Sequence, residues 1–321
     1  MQRILLTGAS GFVGRVVLQR ALEAGHQVTL AVRRPLAEPH PRARTVRVGE
    51  IDESTRWEEA LEGVTTVIHA AGRAHIMGEA PALALPLFRR INRGGTERLA
   101  REAARLGVSR FVFVSSIKVN GDRTSVGRPF TESDPPCPGD PYAISKWEAE
   151  QVLQEIAAGT GLSAAVVRPP LVFGPGVRAN FRSLMRWVER GLPLPLGALR
   201  NRRSLVGVQN LADLLLTCAR HERAAGELFL AADQPAVSTS ALVTMLSHAF
   251  DRPPVLLPVP ETALRLAGRA LGRSAAVARL CDSLEVDSSK ASRLLDFAPA
   301  LSLEQGLQAA VQGYRRRAGS A

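Results

Sequence analysis

Residues 3–34 read RILLTGASGFVGRVVLQRALEAGHQVTLAVRR. A short apolar run, Arg3 to Thr7, leads into three glycines at 8, 11 and 14. Apolar residues then recur at helical spacing as far as Leu22, Gly25 breaks the pattern, and a second apolar run ends at Val32. Strand, helix and strand in that order, joined by a right-handed crossover, open a doubly wound parallel sheet. Two more β-rich runs, TTVIHAAG (65–72) and RFVFVSS (110–116), flank a helical stretch from about Leu87 to Leu106. The alternation predicts an α/β chain with a Rossmann-type doubly wound parallel sheet and a smaller C-terminal domain.

The glycines carry the first functional signal. Gly8 permits a tight turn, Gly11 lets the backbone approach a pyrophosphate, and Gly14 lets helix and strand pack closely. The helix start then offers unpaired N–H groups and a positive dipole end to phosphates. This predicts a bound dinucleotide. Where a free ribose 2′-hydroxyl is read, the second strand usually ends in an acid; here it ends in Val32, followed by Arg33 and Arg34. Two guanidiniums suit a 2′-phosphate, so NADP is favoured and NAD stays open. In so arginine-rich a chain the same pair also fits a solvated loop.

Bulk composition narrows the remaining classes. The chain has 321 residues, 45% hydrophobic and 22% charged, ordinary for a soluble globular protein. No apolar run reaches the roughly 18–20 residues that cross a bilayer. The longest, AAVVRPPLVFGPGV, is cut by Arg168 and three prolines, and the N-terminus shows no cleavable leader, so a cytoplasmic protein without stable membrane insertion is expected. Cys137, Cys218 and Cys281 lie far apart, and neither they nor the six histidines show ligand spacing, so no disulfide framework or metal site is expected. A net charge of +11 invites a nucleic-acid reading. The arginines are dispersed and aromatics are only 5%, which argues against nucleic acid and leaves a basic surface or attraction of a phosphorylated small molecule.

The second signal is DPYAISK (140–146). Of 41 basic residues only Lys118, Lys146 and Lys290 are lysines, and Tyr142 and Tyr314 are the only tyrosines. Asp140 suits a helix cap and Pro141 a first turn, which puts Tyr142 and Lys146 on one helix face. An ammonium there should lower the phenol from about 10 toward working pH, so that Tyr142 can exchange a proton with a carbonyl or alcohol. Ser116, ending the strand that leads into the site, can hydrogen-bond the same oxygen. An exposed helix start with an incidental Tyr and Lys is the bland alternative, and the glycine turn upstream outweighs it.

Together TGASGFVG, HAAG, VSSIKVNG, YAISK and RPPLVFGPG make the chain resemble an extended short-chain dehydrogenase/reductase of the NAD-dependent epimerase/dehydratase family, UDP-glucose 4-epimerase-like branch. The likeness covers nearly the whole chain. It implies Ser116, Tyr142, Lys146 and Asn92 as catalytic residues, with Lys146 also on the nicotinamide ribose. For the cofactor it implies Gly8, Ser10, Gly11, Phe12, Val13, Gly14, Ile51, Asp52, Ala70, Ala71, Gly72 and Pro169, beside Arg33 and Arg34. For the substrate it implies Ser116, Lys118, Asn180 and Arg203. Without the family, a helix cap explains Asn180 and a loop ion pair explains Arg203 equally well.

Ser116 is followed by Ile117 and Lys118 rather than the acidic pair of the family's dehydratases, which excludes dehydration. The branch implies oxidation–reduction at C4 of a UDP-linked sugar for surface polysaccharide, with reduction of a 4-keto group slightly ahead of 4-epimerisation. Gly207 and Asn210 stand where epimerases usually carry a histidine and an acid. A non-catalytic NADP sensor would belong to another class, but such proteins tend to lose the Tyr–Lys pair. The dinucleotide domain is expected over 1–170 plus about 204–235, and the substrate domain over about 171–203 and 236–321. A homodimer through the helices near 87–106 and 142–158 is implied. Residues 285–307 read as a loop followed by a C-terminal helix.

Overall fold

A computed structural model describes residues 1–34, 40–74 and 81–318. The chain begins β1 (Arg3–Thr7), α1 (Phe12–Glu23), β2 (Gln27–Val32), β3 (Arg44–Arg47), α2 (Glu58–Leu61), β4 (Thr66–His69) and α3 (Pro81–Phe88). A π-helical turn, Arg89–Gly94, joins α3 to α4 (Gly95–Arg105). Then follow β5 (Arg110–Val114), α5 (Pro141–Ala158), β6 (Ser163–Arg168), β7 (Leu171–Phe173), α6 (Ala179–Glu189), β8 (Arg203–Gly207), α7 (Val208–Arg220), β9 (Leu228–Leu230) and β10 (Asp233–Val237). The chain closes with α8 (Thr239–Ala249), α9 (Glu261–Ala270), α10 (Ser274–Cys281), α11 (Ser289–Leu295) and α12 (Leu303–Ala318). The helix expected from Leu87 begins earlier, at Pro81, and the segment read as a loop before the last helix itself contains α11.

Seven strands form one parallel sheet in the order β3-β2-β1-β4-β5-β6-β9. The order reverses between β1 and β4, and ligands of such sheets lie where that happens, beyond the strands' C-terminal ends. A second sheet, β10-β8-β7, joins β8 to β10 antiparallel and to β7 parallel. The stretch 204–235 is therefore shared: α7 and β9 belong with the large sheet, β8 and β10 with the small one.

The apolar pattern explains the layers. Buried strands read as near-continuous Val, Ile and Leu because helices cover both faces. Val17, Ala21, Leu211 and Leu215 cover one face of the large sheet; Leu99, Ala103, Ala149 and Leu153 cover the other. A third cluster, including Phe173, Phe181, Leu246 and Leu307, serves the small sheet, and Phe12 from the start of α1 packs against it.

One ion pair is fully enclosed. Arg168 at the end of β6 is 2% exposed and Glu150 on α5 is 1% exposed. Arg168 Nε donates to Glu150 Oε1 at 3.0 Å, its Nη1 donates to Asn120 Oδ1 at 2.8 Å, and the Ser115 hydroxyl donates to Glu150. Removing one member of such a pair leaves a buried charge alone, which costs about 3–5 kcal/mol. Glu150→Ala and Glu150→Gln both leave Arg168 without its counter-charge and should each lose about that much in urea unfolding; small losses would show that the pair does not tie β6 to α5.

Candidate active site

At the β1 end, Gly8 adopts φ +73°, and a Cβ on it would lie 2.7 Å from Ala71 N. A Cβ on Gly14 would lie 2.1 Å from Gly8 O, so turn, helix and the β4 end close on one another only without side chains. Gly11 caps α1, no side chain caps that helix, and its first turn holds no acid. The N–H groups of Phe12, Val13 and Gly14 are thus left for an anion, as Ser10 is by its exposure. These residues fit the pyrophosphate of a dinucleotide.

The neighbouring strand ends are less simple than the sequence suggests. Arg33 and Arg34 are exposed beyond β2, and Arg33 Nη1 lies 3.5 Å from Glu50 Oε1. Asp52 is already engaged: it accepts from the Ser54 hydroxyl at 2.7 Å and from Arg90 Nη2 at 2.7 Å. The Ser54 hydroxyl, then Arg90, hold its carboxyl below the usual carboxylate range. Ile51 packs under Gly95 at the start of α4. Ala70, Ala71 and Gly72 turn out of β4, where Ala71 N donates to Thr7 Oγ1 at 3.1 Å. The carbonyl of Pro169 accepts from Ile117 N at 3.0 Å and so holds the loop that follows Ser116.

Tyr142, Lys146, Ser116 and Asn92 do converge. Asp140 caps α5 by accepting from Ala143 N at 2.8 Å, with Pro141 in the first turn as expected. Ser116 lies beside the Tyr142 phenol, close enough to oppose the rise in its pKa. Lys146 is 3% exposed, donates to Val114 O at 2.6 Å and lies 4.0 Å from the centre of the Phe113 ring. Asn92, on the π-helical turn, donates to Ser145 Oγ at 2.9 Å and accepts from Arg73 N at 2.8 Å. It holds α5 against the β4 loop, and a Cβ on Gly72 would sit 3.2 Å from its Oδ1.

The expected electrostatics are reversed. Burial pushes the Tyr142 phenol up to about 12, with Asp140 adding to the rise and Ser116 opposing it. Burial pulls Lys146 down to about 7, with Glu150 opposing. Desolvation outweighs the attraction inferred from spacing, because the ammonium is turned to the Val114 carbonyl. His69, which sequence reasoning overlooked, is also buried and held down to about 3, between Thr7 Oγ1 at 2.6 Å and Thr96 Oγ1 at 3.2 Å.

The expected substrate residues are dispersed. Lys118 Nζ binds Asp140 and lies 3.6 Å from Asp122, so it steadies the α5 cap instead of standing free. Asn180 is exposed in the first turn of α6. Arg203 Nη1 donates to Asp282 O at 3.0 Å, and burial lowers its pKa. Asp233 holds both positions of the altered segment: it accepts from Gly207 N at 2.7 Å and from Asn210 Nδ2 at 2.8 Å.

The Lys146 environment has a measurable consequence. Its folded pKa lies below the unfolded value of about 10.5, so between pH 7 and 10 the unfolded chain binds the extra proton. Stability should therefore rise with pH across that window. Lys146→Met should flatten the rise in urea midpoints measured from pH 7 to 10; an unchanged rise would assign it to other groups.

Comparison with known proteins agrees with this arrangement. Residues 4–232 match the model of the NAD dependent epimerase/dehydratase family. The chain is 42% identical over 313 residues to a UDP-glucose 4-epimerase of Vibrio cholerae, covering 97% of this chain and 95% of that protein. It is 27% identical to an N-acetyl-alpha-D-glucosaminyl-diphospho-ditrans,octacis-undecaprenol 4-epimerase of Escherichia coli O157:H7, covering 96% and 94%. Among solved structures, MoeE5 in complex with UDP-glucose and NAD matches with a TM-score of 0.76 at 27% identity, covering 98% of this chain and 99% of that one. The glycine turn and the Ser–Tyr–Lys cluster at the strand ends thus stand in a chain that belongs to the NAD dependent epimerase/dehydratase family.

Proposed function

We propose that the protein carries out NAD(P)-dependent oxidation–reduction at C4 of a UDP-linked hexose, and that this runs as 4-epimerisation. The observation that carries the reading is Ser116 set beside the Tyr142 phenol and a buried Lys146, at the strand edge that holds the uncapped α1 turn. The 42% identity to a UDP-glucose 4-epimerase across 97% of the chain favours epimerisation.

When bound, the dinucleotide supplies reversible hydride transfer at C4. Tyr142 holds and moves the proton at the C4 oxygen, and Ser116 orients that oxygen by hydrogen bonding. The neutral phenol is poised as an acid. To act as a base it needs positive charge brought close to it. Asn92 keeps α5 in register with the β4 loop through Ser145. Asn180 and Arg203 are assigned to the diphosphate, and Lys118 to fixing the α5 cap rather than to substrate. The working divisions are a dinucleotide half over 1–170 with α7 and β9, and a substrate half from the remainder.

Reduction of a 4-keto sugar is the second reading. Two observations favour it: β2 ends in exposed Arg33 and Arg34 without an acid, and the resting phenol is protonated. The family and the NAD-bound neighbour favour NAD, the arginine pair NADP. A homodimer, a cytoplasmic setting and a role in surface polysaccharide accompany either reading as part of the proposal.

Denaturing the purified protein and identifying the released dinucleotide by chromatography separates the two. Tightly held NAD together with interconversion of UDP-glucose and UDP-galactose is expected for the epimerase. An empty protein that prefers NADPH and reduces 4-keto sugars would replace it with the reductase. Tyr142→Phe should lower turnover by a factor of about 10²–10⁴ with dinucleotide binding retained; unchanged turnover would remove Tyr142 from the chemistry.

A further inference from the structure

Helix α9 turns its apolar stripe outward. Ala263, Leu266, Ala267, Ala270 and the capping Leu271 recur at the i, i+3, i+4, i+7, i+8 spacing that normally faces a core. All five are exposed, Leu266 at 68% and Leu271 at 72%. The helix buries Gly268 instead, where a Cβ would lie 2.6 Å from Val277 Cγ2 of α10. Position 268 lies more than a quarter turn around the helix from the stripe's centre at about 100° per residue. Contact with α10 therefore leaves the stripe uncovered.

The charges beside the stripe identify what can cover it. Over 261–282 the chain carries Arg265, Arg269, Arg273 and Arg279 against only Glu261 and Asp282. Arg265 engages both acids, at 2.7 Å and 2.6 Å. Arg269, Arg273 and Arg279 are exposed and have no ion-pair partner among the described residues. A second copy of the chain on a two-fold axis would set this patch against itself and oppose like charges. Two leucines among alanines also form no pocket to receive an anchoring side chain of a protein partner. An anionic bilayer meets both requirements: phosphates for the guanidiniums and an apolar layer just beneath for the leucines. The net charge of +11 adds attraction toward the same surface.

We propose that α9 docks the protein on anionic membranes, with Leu266 and Leu271 entering the headgroup region and Arg269 and Arg273 pairing with lipid phosphates. The attachment is peripheral, since no helix among the described residues is long and apolar enough to cross a membrane. It would hold the protein at a lipid surface without using any residue assigned to the dinucleotide.

Flotation of the full chain with vesicles tests the proposal. The protein should float with phosphatidylcholine vesicles containing phosphatidylglycerol, stay behind with phosphatidylcholine alone, and be released by sodium chloride. Arg269→Ala with Arg273→Ala should weaken partitioning about thirtyfold. Leu266→Glu with Leu271→Glu should abolish it, while circular dichroism and dinucleotide binding stay unchanged. Failure of the unaltered chain to float with anionic vesicles would overturn the proposal. So would double variants that float as well as the parent, or light scattering in which Leu266→Glu with Leu271→Glu dissociates a dimer.

Discussion

An amine withdrawn from water organises this molecule. Lys146 sits at 3% exposure, and burying an ammonium is costly unless the protein replaces the lost hydration. The replacement comes from the Val114 carbonyl at 2.6 Å, the Phe113 ring at 4.0 Å and Glu150 one turn farther along α5. Tyr142, Lys146 and Glu150 follow one another at four-residue steps on one face of the helix. Glu150 is held in turn by Arg168 and Ser115, which fix α5 to the ends of β6 and β5. The site and the enclosed ion pair of the core are one continuous line of contacts. That gives a physical account of why a chain so rich in arginine keeps a lysine here: a guanidinium does not give up its charge when buried, whereas an ammonium does.

The cap of the same helix is fixed from the other side. Asp140 receives Ala143 N and binds Lys118, which follows Ser116 by two residues. The Lys118–Asp140 pair thus ties the loop after β5 to the first turn of α5, while Asn92 and Ser145 brace the helix against the β4 end. Asp233 does comparable work in the small sheet, holding Gly207 and Asn210 from 23–26 residues away.

Local signals were legible in the sequence and tertiary ones were not. The β1–α1–β2 unit, the Asp140 cap and the placement of Tyr142 and Lys146 follow from periodicity and turn chemistry within a few residues, and all stand in the structure. The resemblance to a family brought Asn92 and Ser116 to the right neighbourhood. The direction of the tyrosine shift was misread, because four-residue spacing says nothing of where Lys146 points or how dry its surroundings are. Lys118 and Asp52 were read as ligand contacts, yet their carboxylate and guanidinium partners, Asp140 and Arg90, lie 22 and 38 residues away. Glu150 was missed although it extends the same four-residue series, since its partner Arg168 is on another strand. The stripe on α9 reads as ordinary core, and only its exposure marks it as a surface.

Following the hydrogen on C4 distinguishes oxidation and reduction from proton abstraction at carbon. UDP-glucose carrying deuterium at C4 would be incubated with the purified protein in ordinary water, and the product examined by nuclear magnetic resonance. Oxidation and reduction at C4 predict UDP-galactose with the deuterium still on C4, because the hydride that leaves C4 returns to it without exchanging with water. Epimerised product whose C4 deuterium has washed out into water would contradict this, by requiring proton abstraction from carbon in place of oxidation and reduction.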